Sequence, residues 1–253
     1  MKALITGASS GIGRDMAIIL SNLGVDVYIT GRDKVRLIET MSMLNKDVLS
    51  AFIIADLSKE EDCIKLHKRL QDKNIDILIN NAGFGECGEF TDTPLDKEIK
   101  MIKTNITAVH ILTKLFLKDF EERDSGYILN VASSASFLAG PCMATYYATK
   151  NYVYRLSEAI YQELKAKESN VSVSILCPGP VDTAFNKNAN VKFSLKGMKS
   201  SKVARIAIEE MFNGTLIIVP GLTMKFVKVL SKLLPEKTLL KFTYKTQRRK
   251  LYR

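Results

Sequence analysis

The run Lys2-Ala3-Leu4-Ile5-Thr6-Gly7-Ala8-Ser9-Ser10-Gly11-Ile12-Gly13 governs how the rest of the chain is read. A short apolar stretch, Ala3 to Ile5, gives way to Gly7, Gly11 and Gly13 and then to helix-like spacing from Ile12 to Leu23. Glycines at a strand-to-helix turn let the backbone bend tightly and approach a pyrophosphate. The helix N-terminus behind them supplies unpaired N–H groups and partial positive charge. A plain strand-to-helix turn also uses glycine, but a first strand followed at once by an amphipathic helix favours nucleotide binding through Gly7, Ser9, Ser10, Gly11, Ile12 and Gly13.

The same alternation continues outward from this turn. Apolar, β-branched runs recur at Val25 to Thr30, Phe52 to Ala55, Ile75 to Ile79, Tyr127 to Val131, Val171 to Leu176 and Leu216 to Val219, with helical spacing between them, as in Ile99 to Phe120. Strands alternating with helices imply crossover units, and continuous apolar strands imply cover on both faces. The expected α/β architecture is a Rossmann-like, doubly wound parallel sheet of about seven strands with helices on both faces.

At 253 residues and 46% hydrophobic content, one catalytic domain over residues 1–220 is expected, followed by a basic helical extension over 221–253. The net charge of +10 is unevenly placed: residues 1–220 hold 27 Lys plus Arg against 26 Asp plus Glu, and residues 221–253 hold 10 against 1. An electrically ordinary body argues against nucleic acid as a partner. No apolar run is long enough to span a membrane, and the N-terminus enters a strand pattern with no room for a signal peptide, so a cytoplasmic protein is expected. Cys63, Cys87, Cys142 and Cys177 form no CxxC pair, and neither a disulfide nor a metal site is expected. His67 and His110 lack spaced metal-binding partners and read as surface or packing residues.

Cofactor choice turns on the residues just after the second strand. An acid there would bond a ribose 2′-OH, and a base would accommodate a 2′-phosphate. The sequence is Ile29-Thr30-Gly31-Arg32-Asp33, and Arg32 favours NADP(H) over NAD(H), although Asp33 is adjacent and Arg32 also reads as a solvated loop charge. Asp56-Leu57 after the third strand fits an adenine contact, or else Asp56 helps to start the next helix.

Tyr146 and Lys150, four apart in Tyr146-Tyr147-Ala148-Thr149-Lys150, share one helix face. A phenol with pKa near 10 is a poor proton shuttle at neutral pH, and a nearby ammonium is expected to lower it. Tyr147 has only Asn151 at the same spacing. Such a pair is common by chance; its company makes it specific.

From Met1 to about Pro220 the chain resembles the short-chain dehydrogenase/reductases. The matching pieces are the Thr6 to Gly13 motif, Asn80-Asn81-Ala82-Gly83 after the fourth strand, Asn105, Ser133, Tyr146 with Lys150, and Pro178-Gly179-Pro180-Val181-Asp182-Thr183 after the sixth strand. Thirteen positions before the tyrosine, the family's serine falls on Ser133; Ser134 would face the other way if the strand continued. The resemblance implies that Tyr146 exchanges a proton with the substrate oxygen, that Ser133 hydrogen-bonds that oxygen, and that Lys150 holds the nicotinamide ribose and depresses the tyrosine pKa. It implies that Asn105 anchors a water leading from Lys150, that Asn81, Ala82 and Gly83 line the cofactor groove, and that Pro178, Gly179, Val181 and Thr183 cover the nicotinamide side. A homodimer or homotetramer is the implied assembly.

Phe84, Phe137 and Met143, with Phe90, Cys142 and the loop Ala184 to Ser200, are expected to line the substrate site and suit a small apolar ketone or alcohol. Lys187, Lys192, Lys196 and Lys199 in that loop leave a 3-oxoacyl thioester as the alternative substrate. A non-catalytic dinucleotide sensor with a membrane-binding tail is the alternative from another class, and the intact Ser133, Tyr146 and Lys150 set argues against it. In the tail, Leu222, Phe226, Val229, Leu230, Leu233 and Leu234 project to one side of a helix, with Lys225, Lys228 and Lys232 on another. That apolar side is expected to pack on the body or a second subunit, in preference to peripheral contact with an anionic membrane.

Overall fold

The computed structural model describes residues 1–185, 189 and 197–251. Seven parallel strands form the central sheet: β1 Lys2–Thr6, β2 Asp26–Gly31, β3 Ser50–Ile54, β4 Ile77–Asn80, β5 Gly126–Val131, β6 Val171–Leu176 and β9 Ile217–Ile218, in the order β3-β2-β1-β4-β5-β6-β9. The seven apolar runs of the sequence are these seven strands, with ends shifted by no more than two residues. A further pair, β7 Val181–Asp182 and β8 Met198–Lys199, lies beyond the tip of β6.

Alternation along the strands builds two cores. Ala3, Ile5, Ile77, Ile79, Leu129 and Val131 point to one face, where α1 (Gly11–Asn22) and α7 (Ser200–Phe212) cover them with Met16, Leu20, Val203, Ala207 and Met211. Leu4, Leu78, Ile128 and Val173 point to the other, against Leu66 of α3 (Glu60–Leu70), Leu112 and Phe116 of α5 (Ala108–Glu122) and Leu164 of α6 (Ala144–Ala166). α2 (Lys34–Ser42) follows β2 at the sheet's edge.

The order places β1 beside both β2 and β4, so their crossovers leave in opposite directions and a crevice opens at the strands' C-terminal ends. The Gly7, Asn81 and Ser133 segments all leave strands at that edge.

The helical pattern from Ile99 to Phe120 is one run with a fault in it. α4 (Leu95–Ile102) passes into a π-helical segment, Lys103–Thr107, before α5. Asn105 sits in that segment.

Two last helices, α8 (Leu222–Leu233) and α9 (Glu236–Leu251), lie against the body. Of the two partners expected for the apolar side of α8, the body of the same chain is not the one it meets. Met224, Val227 and Ser231 face the body, whereas Leu222, Phe226, Val229, Leu230, Leu233 and Leu234 are exposed. The reason is local: α8 docks on the Pro178–Gly179 turn, where a Cβ on Gly179 would come within 2.6 Å of Met224 Cγ. From α9, Thr243 and Gln247 are buried, and Gln247 Nε2 donates to the Tyr147 hydroxyl.

Candidate active site

The glycine turn is held open by its neighbours. Gly7 has φ +64°, and a Cβ there would stand 2.7 Å from Ala82 Cα, so only glycine fits. Asn81 braces the turn, with Nδ2 donating to Thr6 O at 2.9 Å and Gly7 O at 3.1 Å. Thr6 Oγ1 accepts from the backbone N–H of Asn81 and Ala82 at 2.9 and 3.0 Å. Behind the turn, α1 carries no acid in its first turn, and among the described residues its N-cap Ser10 makes no side-chain capping bond. The helix start therefore presents its first N–H groups and partial positive charge at the crevice.

A cleft of about 830 Å³ runs from this turn across the sheet edge. Gly7, Ser9, Ser10, Gly11, Ile12, Arg32, Asp56, Leu57, Asn81, Ala82, Gly83, Ser133, Tyr146, Lys150, Pro178, Gly179, Val181 and Thr183 all line it. Thr183 reaches across the turn, so that a Cβ on Gly11 would lie 3.1 Å from its Cγ2. Gly13 does not line the cleft; it lies beneath, where a Cβ would meet Gly7 O at 2.7 Å.

At the far rim, Arg32 is joined by Arg36, which the sequence had not singled out. Asp33 is occupied by α2: its carboxylate accepts from Arg36 N at 3.1 Å and lies 3.4 Å from Arg36 Nε. Asp56 Oδ1 accepts from Ser58 N at 3.1 Å and Ser58 Oγ at 2.8 Å, so it shapes the turn before α3 while facing the cleft. Burial works against its ionisation, but the Ser58 bonds and the charges of Arg32 and Lys100 outweigh it and hold the carboxyl below the usual range.

At the inner end, β5 stops at Val131, and the chain turns into a 3-10 segment, Ser134–Phe137, with Ser133 as its cap. The strand does not continue, so strand alternation has no bearing on Ser134, whose N–H is tied to Pro178 O at 2.8 Å. Ser133 Oγ accepts from Ala135 N at 3.1 Å, which leaves its own hydrogen to donate. One expected substrate residue is corrected: Ser134, Ala135 and Leu138 line the cleft, and Phe137 does not. Phe137 points away, edge-on to Tyr154 at 5.7 Å, and lines a separate groove under α8 and α9.

Tyr146 is buried, and the expectation for its acidity is reversed. Burial raises the phenol to about 12, with only the Ser133 hydroxyl pulling it down. Lys150 Nζ donates to Val131 O at 2.8 Å, and burial brings the ammonium itself down to about 8. Asn105, fully buried, clamps the backbone beside them. Its Oδ1 accepts from Phe84 N at 3.1 Å, and its Nδ2 donates to Phe84 O at 2.9 Å and Thr149 Oγ1 at 3.1 Å. Gly83 keeps the gap clear: a Cβ there would stand 3.0 Å from Asn105 Oδ1 and 3.3 Å from Lys150 Nζ.

Phe84 and Met143 line this end, together with Phe185, whose ring lies 5.4 Å from that of Tyr146. Phe90 is exposed, and neither it nor Cys142 reaches the cleft. Of the loop lysines, Lys199 is exposed and off the cleft, while Lys187, Lys192 and Lys196 lie outside the described residues. The tail completes the wall, which no motif had signalled: Met224 and Val227 of α8, and Phe242, Thr243, Thr246 and Gln247 of α9, all face the cleft.

The family model for short chain dehydrogenases matches residues 1–193. An uncharacterized oxidoreductase of Staphylococcus saprophyticus is 34% identical over 188 residues, covering 73% of this chain and 80% of its own. Among solved structures, a short-chain dehydrogenase from Sphingobium yanoikuyae in complex with NADPH superposes with TM-score 0.83 at 28% identity, covering 95% of both chains. The bulky-bulky ketone specific alcohol dehydrogenase from Comamonas testosteroni superposes with TM-score 0.80 at 28% identity, covering 95% of this chain and 93% of its own. A short chain dehydrogenase/reductase from Burkholderia phymatum in complex with NAD superposes with TM-score 0.83 at 23% identity, covering 95% of this chain and 94% of its own. These superpositions extend past Pro220, so the tail is less of a departure than the sequence suggested. With the family model matching most of its length, and with an oxidoreductase relative 34% identical over 188 residues, the chain belongs to the short-chain dehydrogenases.

Proposed function

We propose that this oxidoreductase is an NADP(H)-dependent carbonyl reductase or alcohol dehydrogenase acting on a small, mainly apolar ketone or alcohol. Ser133, Tyr146 and Lys150 are its catalytic residues, and Asn105 positions them. One observation carries the reading: a single cleft has an anion-binding helix terminus with two arginines at one end, and a buried tyrosine, serine and lysine at the other.

The residues fit a dinucleotide. The α1 terminus and the Ser9-Ser10-Gly11-Ile12 backbone suit a pyrophosphate, and Ala55 to Leu57 flank an adenine. Arg32 and Arg36 suit a 2′-phosphate, and Asp33, which lines the same rim, is engaged in capping α2. When bound, the nicotinamide supplies or accepts the hydride.

Burial keeps Tyr146 a phenol through neutral pH, so in the reductive direction Tyr146 Oη holds the proton that the nascent alkoxide takes up. Ser133 Oγ donates to the same oxygen and stabilises its developing charge. Lys150 spends one donor on Val131 O, leaving two for ribose hydroxyls, and its charge offsets the tyrosinate left after proton transfer. Asn105 fixes Phe84, and through it the side of the cleft facing the substrate. Phe84, Met143, Phe185, Met224 and Phe242 make that end apolar.

The test is reduced-cofactor oxidation against a panel of ketones, diketones and acyl thioesters, with NADPH and NADH in parallel. Tyr146→Phe is expected to lower kcat at least about a hundredfold while leaving NADPH binding unchanged. Equal turnover in the variant refutes the assignment.

A further inference from the structure

Among the described residues, the outward side of α8 is exposed to solvent. Leu222, Phe226, Val229, Leu230 and Leu233 recur at helical spacing and form one continuous stripe. Leu222, Phe226, Val229 and Leu233 are 83%, 67%, 56% and 74% exposed. Solvent-facing helices ordinarily carry polar residues there, and a contiguous apolar strip marks a surface that meets something else. Beside the stripe stands exposed Lys225, and exposed Lys237, Lys241 and Lys245 follow along α9 at the spacing of one helix face. Within residues 221–253 the only acid is Glu236, against ten Lys and Arg.

We propose that α8 and α9 form a docking surface for an anionic lipid bilayer, with the α8 stripe seated among the acyl chains and the lysines at the headgroups. The combination of an apolar strip with flanking lysines is that of an interfacial helix. Charge decides between this occupant and a second copy of the chain. A two-fold contact through α8 would bring two strongly basic tails together, whereas a bilayer of anionic lipid attracts each of them. Among the described residues no helix is long and apolar enough to cross a membrane, so the contact is with the surface.

The same two helices line the cleft from their other side, through Met224, Val227 and Phe242. Docking therefore holds the substrate end of the cleft beside the bilayer, and an apolar substrate enters from lipid. This last step rests on the oxidoreductase reading, whereas the docking itself does not.

The experiment is flotation of the full chain with phosphatidylcholine vesicles, with and without phosphatidylglycerol, at low and high salt. Binding is expected with phosphatidylglycerol at low salt, and at least about tenfold weaker with phosphatidylcholine alone or at high salt. The double variant Phe226→Ser, Leu233→Ser is expected to lose at least about tenfold in vesicle binding. Neither residue lines the cleft, so the melting midpoint and turnover of a water-soluble ketone should match the unmodified protein. Lys225→Glu with Lys241→Glu provides a second variant that removes charge alone, and it should lower binding at low salt. No flotation with anionic vesicles, or undiminished flotation of the double variant, overturns the proposal. So does a dimer in solution that the double variant dissociates, which makes the occupant a second copy. Failure of the ketone assay with vesicle binding intact would strike the oxidoreductase reading and leave the docking surface standing.

Discussion

Replacing Asn105 by alanine separates two roles for this residue. The carboxamide makes three hydrogen bonds from a fully buried position, two to the Phe84 backbone and one to Thr149 Oγ1. Thr149 keeps its bond to Tyr146 O at 2.7 Å, but the Phe84 N–H and carbonyl lose the side chain that pairs them. At about 1 kcal/mol for each bond lost from a half-buried loop, the variant should be destabilised by about 3 kcal/mol, a large part of the few kcal/mol by which domains are stable. Urea unfolding, with Asn105→Ala beside the unmodified protein at constant m, gives this number directly. A shifted Phe84 also moves one wall of the substrate end, so KM for the ketone should rise along with the loss of kcat. If the variant unfolds within about 1 kcal/mol of the original yet has lost its turnover, the clamp is not what Asn105 contributes. The water relay implied by the family resemblance would then be its main task.

Arg32→Ala should weaken NADPH at least about tenfold more than NADH, because only NADPH carries the phosphate the guanidinium can pair with; a parallel loss in both titrations would make Arg32 structural. The pH profile of ketone reduction should be level around neutrality and fall above about 8, where burial causes Lys150 to lose its charge. Stability runs the other way: the folded state releases this proton more readily than the unfolded chain, so Lys150 adds stability as pH climbs from about 8 towards 10.5. Lost activity in that window is therefore not unfolding driven by this group, and a profile still level at pH 10 would contradict the assignment.

The sheet was legible because its strands are buried on both faces, and seven β-branched runs bounded by turns leave little else to form. The glycine turn was legible for a similar reason, since Gly7 and Gly13 sit where backbone meets backbone. What failed depended on direction. Phe137 lies close to Ser133 in sequence, but its ring meets Tyr154 edge-on and stands off the cleft. The helical projection of α8 grouped its apolar residues on one side, yet no pattern says which side a tail presses inward; Gly179 admits Met224 on the docked side. Arg36 and the α9 residues of the cleft wall stand next to no motif. The acidity of Tyr146 was misjudged because helix spacing brings Lys150 to the same side but does not register the burial that raises the phenol.

The π-helical fault at Lys103–Thr107 makes two tools of one rod. Before it, Met101 packs with the residues around Tyr146; after it, Leu112 and Phe116 pack under the sheet. An unbroken α-helix turns about 100° per residue and could not serve both surfaces in that phase. Removing a single residue from the fault would restore a regular helix and leave the scaffold half untouched, but it would swing Asn105 off Phe84. The segment thus behaves as a one-residue insertion: a deletion within it should spare folding and cost the Asn105–Phe84 contact, whereas a deletion in the ordinary turns of α5 would rotate part of its buried face, Leu112, Phe116 and Phe120, by about 100°.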